Sequence, residues 1–157
     1  MAPDGSLAFV RTTRSGQQLV VLEPGGTERV LASERSFLNL AAPRYSPDGT
    51  RIAFTAVGEG PKVGSRPGGL GWSFDWRFGP SIAYAHGEPW DIWMAESDGK
   101  LRLASKLTED EPMVGWSPDG RYLAVSGGTG VYVVDVAVGQ TTQLGKQGGF
   151  GGIDWTP

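Results

Sequence analysis

Apolar residues fall along this chain in short runs, many of them alternating with polar neighbours and each closed by a cluster of Gly, Pro, Asp, Asn or Ser. Alternation over about four to eight residues marks a strand, and no segment sustains the helical period of about 3.6 residues. The runs recur in a fixed order. An aromatic ends a first strand in "RYS", "GWS" and "DWT". A second follows as "SLAFV", "RIAFTA" and "RYLAVS", a third as "QLVVLEP", "DIWMAES" and "VYVVDVA", and a fourth as "TERVLAS", "LRLASKL" and "QTTQLG". The chain therefore predicts an all-β fold built from repeated units of four antiparallel strands.

The joint between first and second strands is nearly invariant. "RYSPDGTRIAF" (residues 44–54) returns as "GWSPDGRYLAV" (115–125), and a degraded copy, "MAPDGSLAFV", opens the sequence. In each copy the proline (Pro3, Pro47, Pro118) presets φ, the aspartate (Asp4, Asp48, Asp119) can bond its own backbone, and the glycine (Gly5, Gly49, Gly120) takes the position with φ > 0. These nine residues are read as structural turns. The prolines Pro3, Pro47, Pro118 and Pro157 are spaced by 44, 71 and 39 residues. Two spacings are ordinary for a four-stranded propeller blade, and the middle one carries about 30 extra residues. The reading is one β-propeller unit over 1–157, with repeats at about 3–46, 47–117 and 118–157 and an insertion at about 57–90.

The Ser-Pro-Asp-Gly core, set between a Tyr or Trp and an Ile-Ala-Phe strand, resembles the TolB-type, WD40-like β-propeller repeat across nearly the whole chain except the insertion. The resemblance implies a binding scaffold without catalysis and slightly favours an extracytoplasmic setting, although no signal sequence is legible. Similar blades form the propeller portion of prolyl-oligopeptidase-like hydrolases, which is the alternative, as is a purely structural self-assembling half-propeller. Fold alone does not choose among them. With the strands of a blade lettered A to D from the innermost outwards, the sequence reads BCD-ABCD-ABCD-A. Three blades are too few for a ring, where about 4 to 8 are usual. The expectation is a six-bladed homodimer in which residues 152–156, Gly152 to Thr156, complete the first blade of a second copy; the alternative is a longer propeller whose other blades lie elsewhere.

The insertion falls between strands B and C of the second blade. Trp72, Phe74, Trp76 and Phe78 alternate with Ser73, Asp75 and Arg77, which puts the aromatics on one face of a strand. Six of the chain's 16 aromatics lie between Trp72 and Trp90, so the enrichment needs a reason. Such a hairpin must bury its apolar face, either on the propeller or partner subunit or on a ligand, since Trp and Tyr are favoured anchors. In the topology the resemblance implies, this loop shares a face with "TEDEP", "ASERSFLNL" and "GKQGGFGG". The candidate ligand or partner residues are Trp72, Phe74, Trp76, Arg77, Tyr84, His86 and Trp90.

Composition narrows the chemistry. The 157 residues are 39% hydrophobic with 25 Gly and 11 Pro, which suits many short strands and turns in one domain. A net charge of -3 with scattered basic residues argues against a nucleic-acid surface. No apolar run is long enough to span a membrane. There is no Cys, and His86 is the single His, so thiolate sites and a Ser-His-Asp set have little to draw on. Glu109, Asp110 and Glu111 form a weak cation candidate; no metal site or cofactor is otherwise implied. "GGTG" at 127–130 reads as a hairpin turn and not as a phosphate loop.

Overall fold

The computed structural model describes residues 1–61, 89–149 and 151–156. Those residues form eleven strands in three antiparallel meanders. The first sheet is β1 (Leu7–Thr12), β2 (Gln17–Leu22) and β3 (Glu28–Ser33). The second is β4 (Asn39–Tyr45), β5 (Ile52–Val57), β6 (Trp90–Ala95) and β7 (Leu101–Glu109). The third is β8 (Met113–Trp116), β9 (Tyr122–Ser126), β10 (Val131–Asp135) and β11 (Thr141–Gly145). Among the described residues there is no helix, and hence none long and apolar enough to cross a membrane.

The Ser-Pro-Asp-Gly turns close as their chemistry requires. Gly49 and Gly120 adopt φ of 73° and 68°, and their amides bond back to the Ser46 and Ser117 carbonyls at 2.8 and 2.9 Å. The buried Ser46 hydroxyl donates to Asp48 Oδ1 and accepts from the Arg51 amide at 3.0 Å, while Asp48 also accepts the Thr50 amide at 3.0 Å. Ser117, Asp119 and the amides of Arg121 and Tyr122 repeat the pattern. In the first copy Ala2 replaces that serine, and Ser6 supplies both amide and hydroxyl to Asp4. The turns also touch one another. A Cβ on Gly49 would lie 2.7 Å from Pro3, and one on Gly120 3.7 Å from Pro47, so these two glycines rest against the preceding turn proline.

Two cores separate the sheets. Leu19, Val21 and Ala32 of the first sheet meet Leu40, Ile52, Phe54, Ala56 and Trp93 of the second. On the other face Ala53, Ile92, Met94 and Ala104 meet Val114, Trp116, Leu123, Val125 and Val134 of the third. The middle sheet is thus apolar on both sides, which is why all six residues of β5 are buried instead of alternating between core and solvent. The period of two survives as a choice between two cores. Departures from the simplest pattern are local. β4 carries a register shift between Ala41 and Arg44, with Ala42 at φ 50°, and "DWT" lies outside any strand.

The Asp48 carboxyl is held at about 2, below its ordinary 3.8, mainly by the Ser46 hydroxyl and then by the Thr50 amide and hydroxyl. Because the folded value lies below the unfolded one, this contribution is complete above pH 3.8 and is lost as pH falls towards about 2. Urea melts at a series of pH values should show stability declining through that window. Asp48→Asn, which cannot ionise, should flatten the slope there.

Candidate functional site

The loops at the end of the sheets opposite the Ser-Pro-Asp-Gly turns are tied together in pairs. At the near foot of the insertion the Leu38 amide donates to the Val57 carbonyl at 2.8 Å. Gly58, at φ 133°, passes under Phe37 so closely that a Cβ would sit 3.1 Å from the Phe37 Cα. Gly60, at φ 75°, lies flat on the Trp93 ring with no space for a side chain. Phe37 in turn stands edge-on to Trp93 at 5.0 Å and to Phe54 at 5.7 Å. Trp93 is 7% exposed, and among the described residues its buried indole N–H has no hydrogen-bond partner.

The far foot is organised by Glu109. It lies opposite Trp90 in the β6–β7 register and is 2% exposed. The Thr129 amide donates to its Oε2 at 2.9 Å, and the Thr129 and Tyr132 hydroxyls both donate to Oε1. Burial pushes the carboxyl up, but these bonds together with the Gly128 amide outweigh it, and the net shift is downward. Hydrogen bonding to Glu109 raises the Tyr132 phenol in return. Gly127 permits this closeness, since a Cβ there would collide with the carboxylate. The next loop joins the same turn through the Gly149 amide and the Gly127 carbonyl at 3.0 Å. Nearby, burial raises the Asp91 carboxyl although the Leu107 amide donates to it at 3.3 Å.

The candidate residues read from the sequence separate accordingly. Trp72, Phe74, Trp76, Arg77, Tyr84 and His86 lie outside the described residues. Trp90 lies within them and is 7% exposed, packed at the start of β6, so it serves the sheet and is not offered to solvent. Of the three neighbouring acids, Glu109 is turned inward and occupied by Thr129 and Tyr132, whereas Glu111 is exposed on the loop at φ 42°. Among the described residues no three His, Cys, Asp or Glu side chains converge as a metal site. Strand patterning gave no hint of the Phe37–Trp93–Gly60 contact, because it joins a loop residue to a residue read simply as part of a strand. The only signal was the pair of glycines that open the insertion.

A second concavity of about 610 Å³ lies on the inner side of the sheets, bounded by Pro3, Tyr45, Pro47, Trp116 and Ile153. The innermost strands are stitched there by indoles. Trp116 Nε1 donates to the Arg44 carbonyl at 3.0 Å, and Trp155 Nε1 donates to the Gly115 carbonyl, also at 3.0 Å. Arg51 reinforces the first joint, bonding the Gly120 carbonyl at 2.9 Å with its guanidinium 4.9 Å above the Trp116 ring.

No protein-family model and no curated protein sequence matches the chain. Solved structures do. TolB from Acinetobacter baumannii superposes with a TM-score of 0.66 at 16% identity, over 97% of this chain and 33% of that one. A chain of the nidogen/laminin complex gives 0.64 at 14% identity, over 99% and 51%. A prolyl endopeptidase gives 0.58 at 13% identity, over 94% and 22%. The fold is therefore that of a β-propeller segment. The chain spans between about a fifth and a half of the length of these neighbours.

Replacing Glu109 by Gln should loosen the 127–130 turn and return the Tyr132 phenol towards its ordinary 10. Ultraviolet titration against Tyr132→Phe isolates that phenol. Its upward shift should be present in the parent protein and smaller in the Gln variant.

Proposed function

We propose that this chain is a TolB-type propeller scaffold that binds a protein, peptide or small ligand on the loop face carrying the insertion, without catalysing a reaction. The supporting observation is where the insertion is rooted. It leaves from β5, buried at every position, and returns into β6, buried at five of six. Its near foot is fixed by Phe37, Gly58, Gly60 and Trp93, and its far foot by Trp90 and the Glu109 clamp. Binding loops on a rigid scaffold have this form. The sequence supplies the contact chemistry, with Trp72, Phe74 and Trp76 at alternate positions and Arg77, Tyr84 and His86 following. Large amphipathic aromatics bury area at low entropic cost.

Selection of a displayed random-peptide library on the purified chain, followed by fluorescence titration of the recovered peptides, tests this reading. Trp72→Ala, Phe74→Ala or Trp76→Ala should each weaken binding by about tenfold or more, as central aromatic anchors do, with the urea midpoint unchanged. Trp90→Ala should instead cost about 3–5 kcal/mol of stability, because its indole is buried. Recovery of no peptide, or collapse of the fold in the first three variants, would sink the proposal.

A further inference from the structure

Strands at the same place in the repeat are covered very differently. β5 is buried at all six positions and β9 at three of five, but β1 is buried at none, and Leu7 at its start is 44% exposed. The other two sheets place a strand inside β5 and β9, namely β4 and β8. Among the described residues β1 has no such neighbour and presents a free row of backbone donors and acceptors.

A strand-like segment lacking a sheet lies at the opposite end of the array. Residues 152–155 pair with no strand, yet they sit against β8 much as β8 sits against β4. The indole bond from Trp155 to the Gly115 carbonyl repeats the one from Trp116 to the Arg44 carbonyl, at the same 3.0 Å. The fit is close, since a Cβ on Gly115 would lie 2.5 Å from the Ile153 carbonyl oxygen. The segment is thus held in the position of an innermost strand with its outward edge unused.

We propose that residues 152–155 of one copy pair antiparallel with β1 of a second copy, and that the exchange is reciprocal, closing two chains into a six-bladed ring about a two-fold axis. Each end of the array has what the other lacks, and a two-fold axis satisfies both joints with one geometry. Three repeats are half of a ring within the usual range of about 4 to 8 blades. The repeat also fixes the register. Trp116 pairs with Leu123, Gly115 with Ala124 and Val114 with Val125. Carried to the corresponding turn positions, Trp155 faces Ala8, Asp154 faces Phe9 and Ile153 faces Val10. The apolar residues Trp155 and Ile153 then continue the inner face that Val114 and Trp116 form in the third sheet.

The chain has no Cys, so a disulfide reports only the pair introduced. Directly opposed residues in an antiparallel pair lie about 4.5–5.5 Å apart at Cα, within disulfide range. A mixture of the Val10→Cys and Ile153→Cys proteins should therefore oxidise to a covalent dimer, whereas Phe9→Cys mixed with Ile153→Cys should not. Light scattering of the parent chain over a concentration series should give about twice 16.7 kDa. Gly115→Ala, which crowds Ile153 off β8, should shift the mass towards one chain while the β-sheet circular dichroism persists. A parent that remains near 16.7 kDa at every concentration overturns the proposal. A doubled mass without the Val10–Ile153 bond overturns it equally, because the contact then lies elsewhere.

Discussion

A sheet that is apolar on both faces must be covered on both. The middle sheet of this protein meets that condition through two separate cores, one facing Leu19 and Val21 and the other facing Val114 and Leu123. Every other feature follows from stacking sheets in this way. Since each sheet needs a neighbour on either side, the array has no natural end, and a ring is the arrangement that removes ends altogether. β1, at an edge of its sheet among the described residues, is buried at none of its positions.

Stacking by apolar contact alone would leave the sheets free to slide. Polar joints set the spacing, and they recur with the repeat. At the turn face, glycines of one copy rest on the proline of the copy before, as Gly49 does on Pro3. Along the inner edge, the Trp116 indole bonds the carbonyl one residue before Tyr45, and the Trp155 indole bonds the carbonyl one residue before Trp116. A buried indole N–H left unpaired is costly, so each such bond penalises a change of register. Trp93 departs from the rule, since among the described residues its buried N–H has no partner. Its contribution lies in the ring face, against which Phe37 and Gly60 pack.

Much of the fold was legible because turn chemistry is local. Ser, Asp and Gly at fixed offsets dictate one backbone path whatever surrounds them, and Asp48 and Asp119 make the bonds their spacing implies. Strand identity was legible too, from runs such as "QLVVL" and "VYVVD". What the sequence could not show was which core a strand residue enters, because a period of two looks the same whether its second face meets solvent or another sheet. The role of Glu109 was hidden for a related reason. Together with Asp110 and Glu111 it read as a weak cation candidate, and only the approach of Thr129 and Tyr132, about twenty residues on, shows it turned inward. Trp90, grouped in the sequence with the insertion's aromatics, is the first residue of β6.

The insertion interrupts the chain at the place where interruption disturbs least. Strands β5 and β6 are bonded to each other from Ile52↔Ala95 to Ala56↔Asp91, so their register does not depend on the connection between them. Loop closure costs rise only slowly with length, so a connection longer than the tight turns at 13–16 and 127–130 costs little once that register is fixed elsewhere. What must be preserved is the geometry of the two feet. Gly58 and Gly60 hold the first foot at φ values that side chains rarely adopt, and Glu109 holds the loops around the second by clamping the 127–130 turn. Variation in the loop is thereby separated from the contacts that hold the sheets together, and a propeller can lengthen here without altering either core.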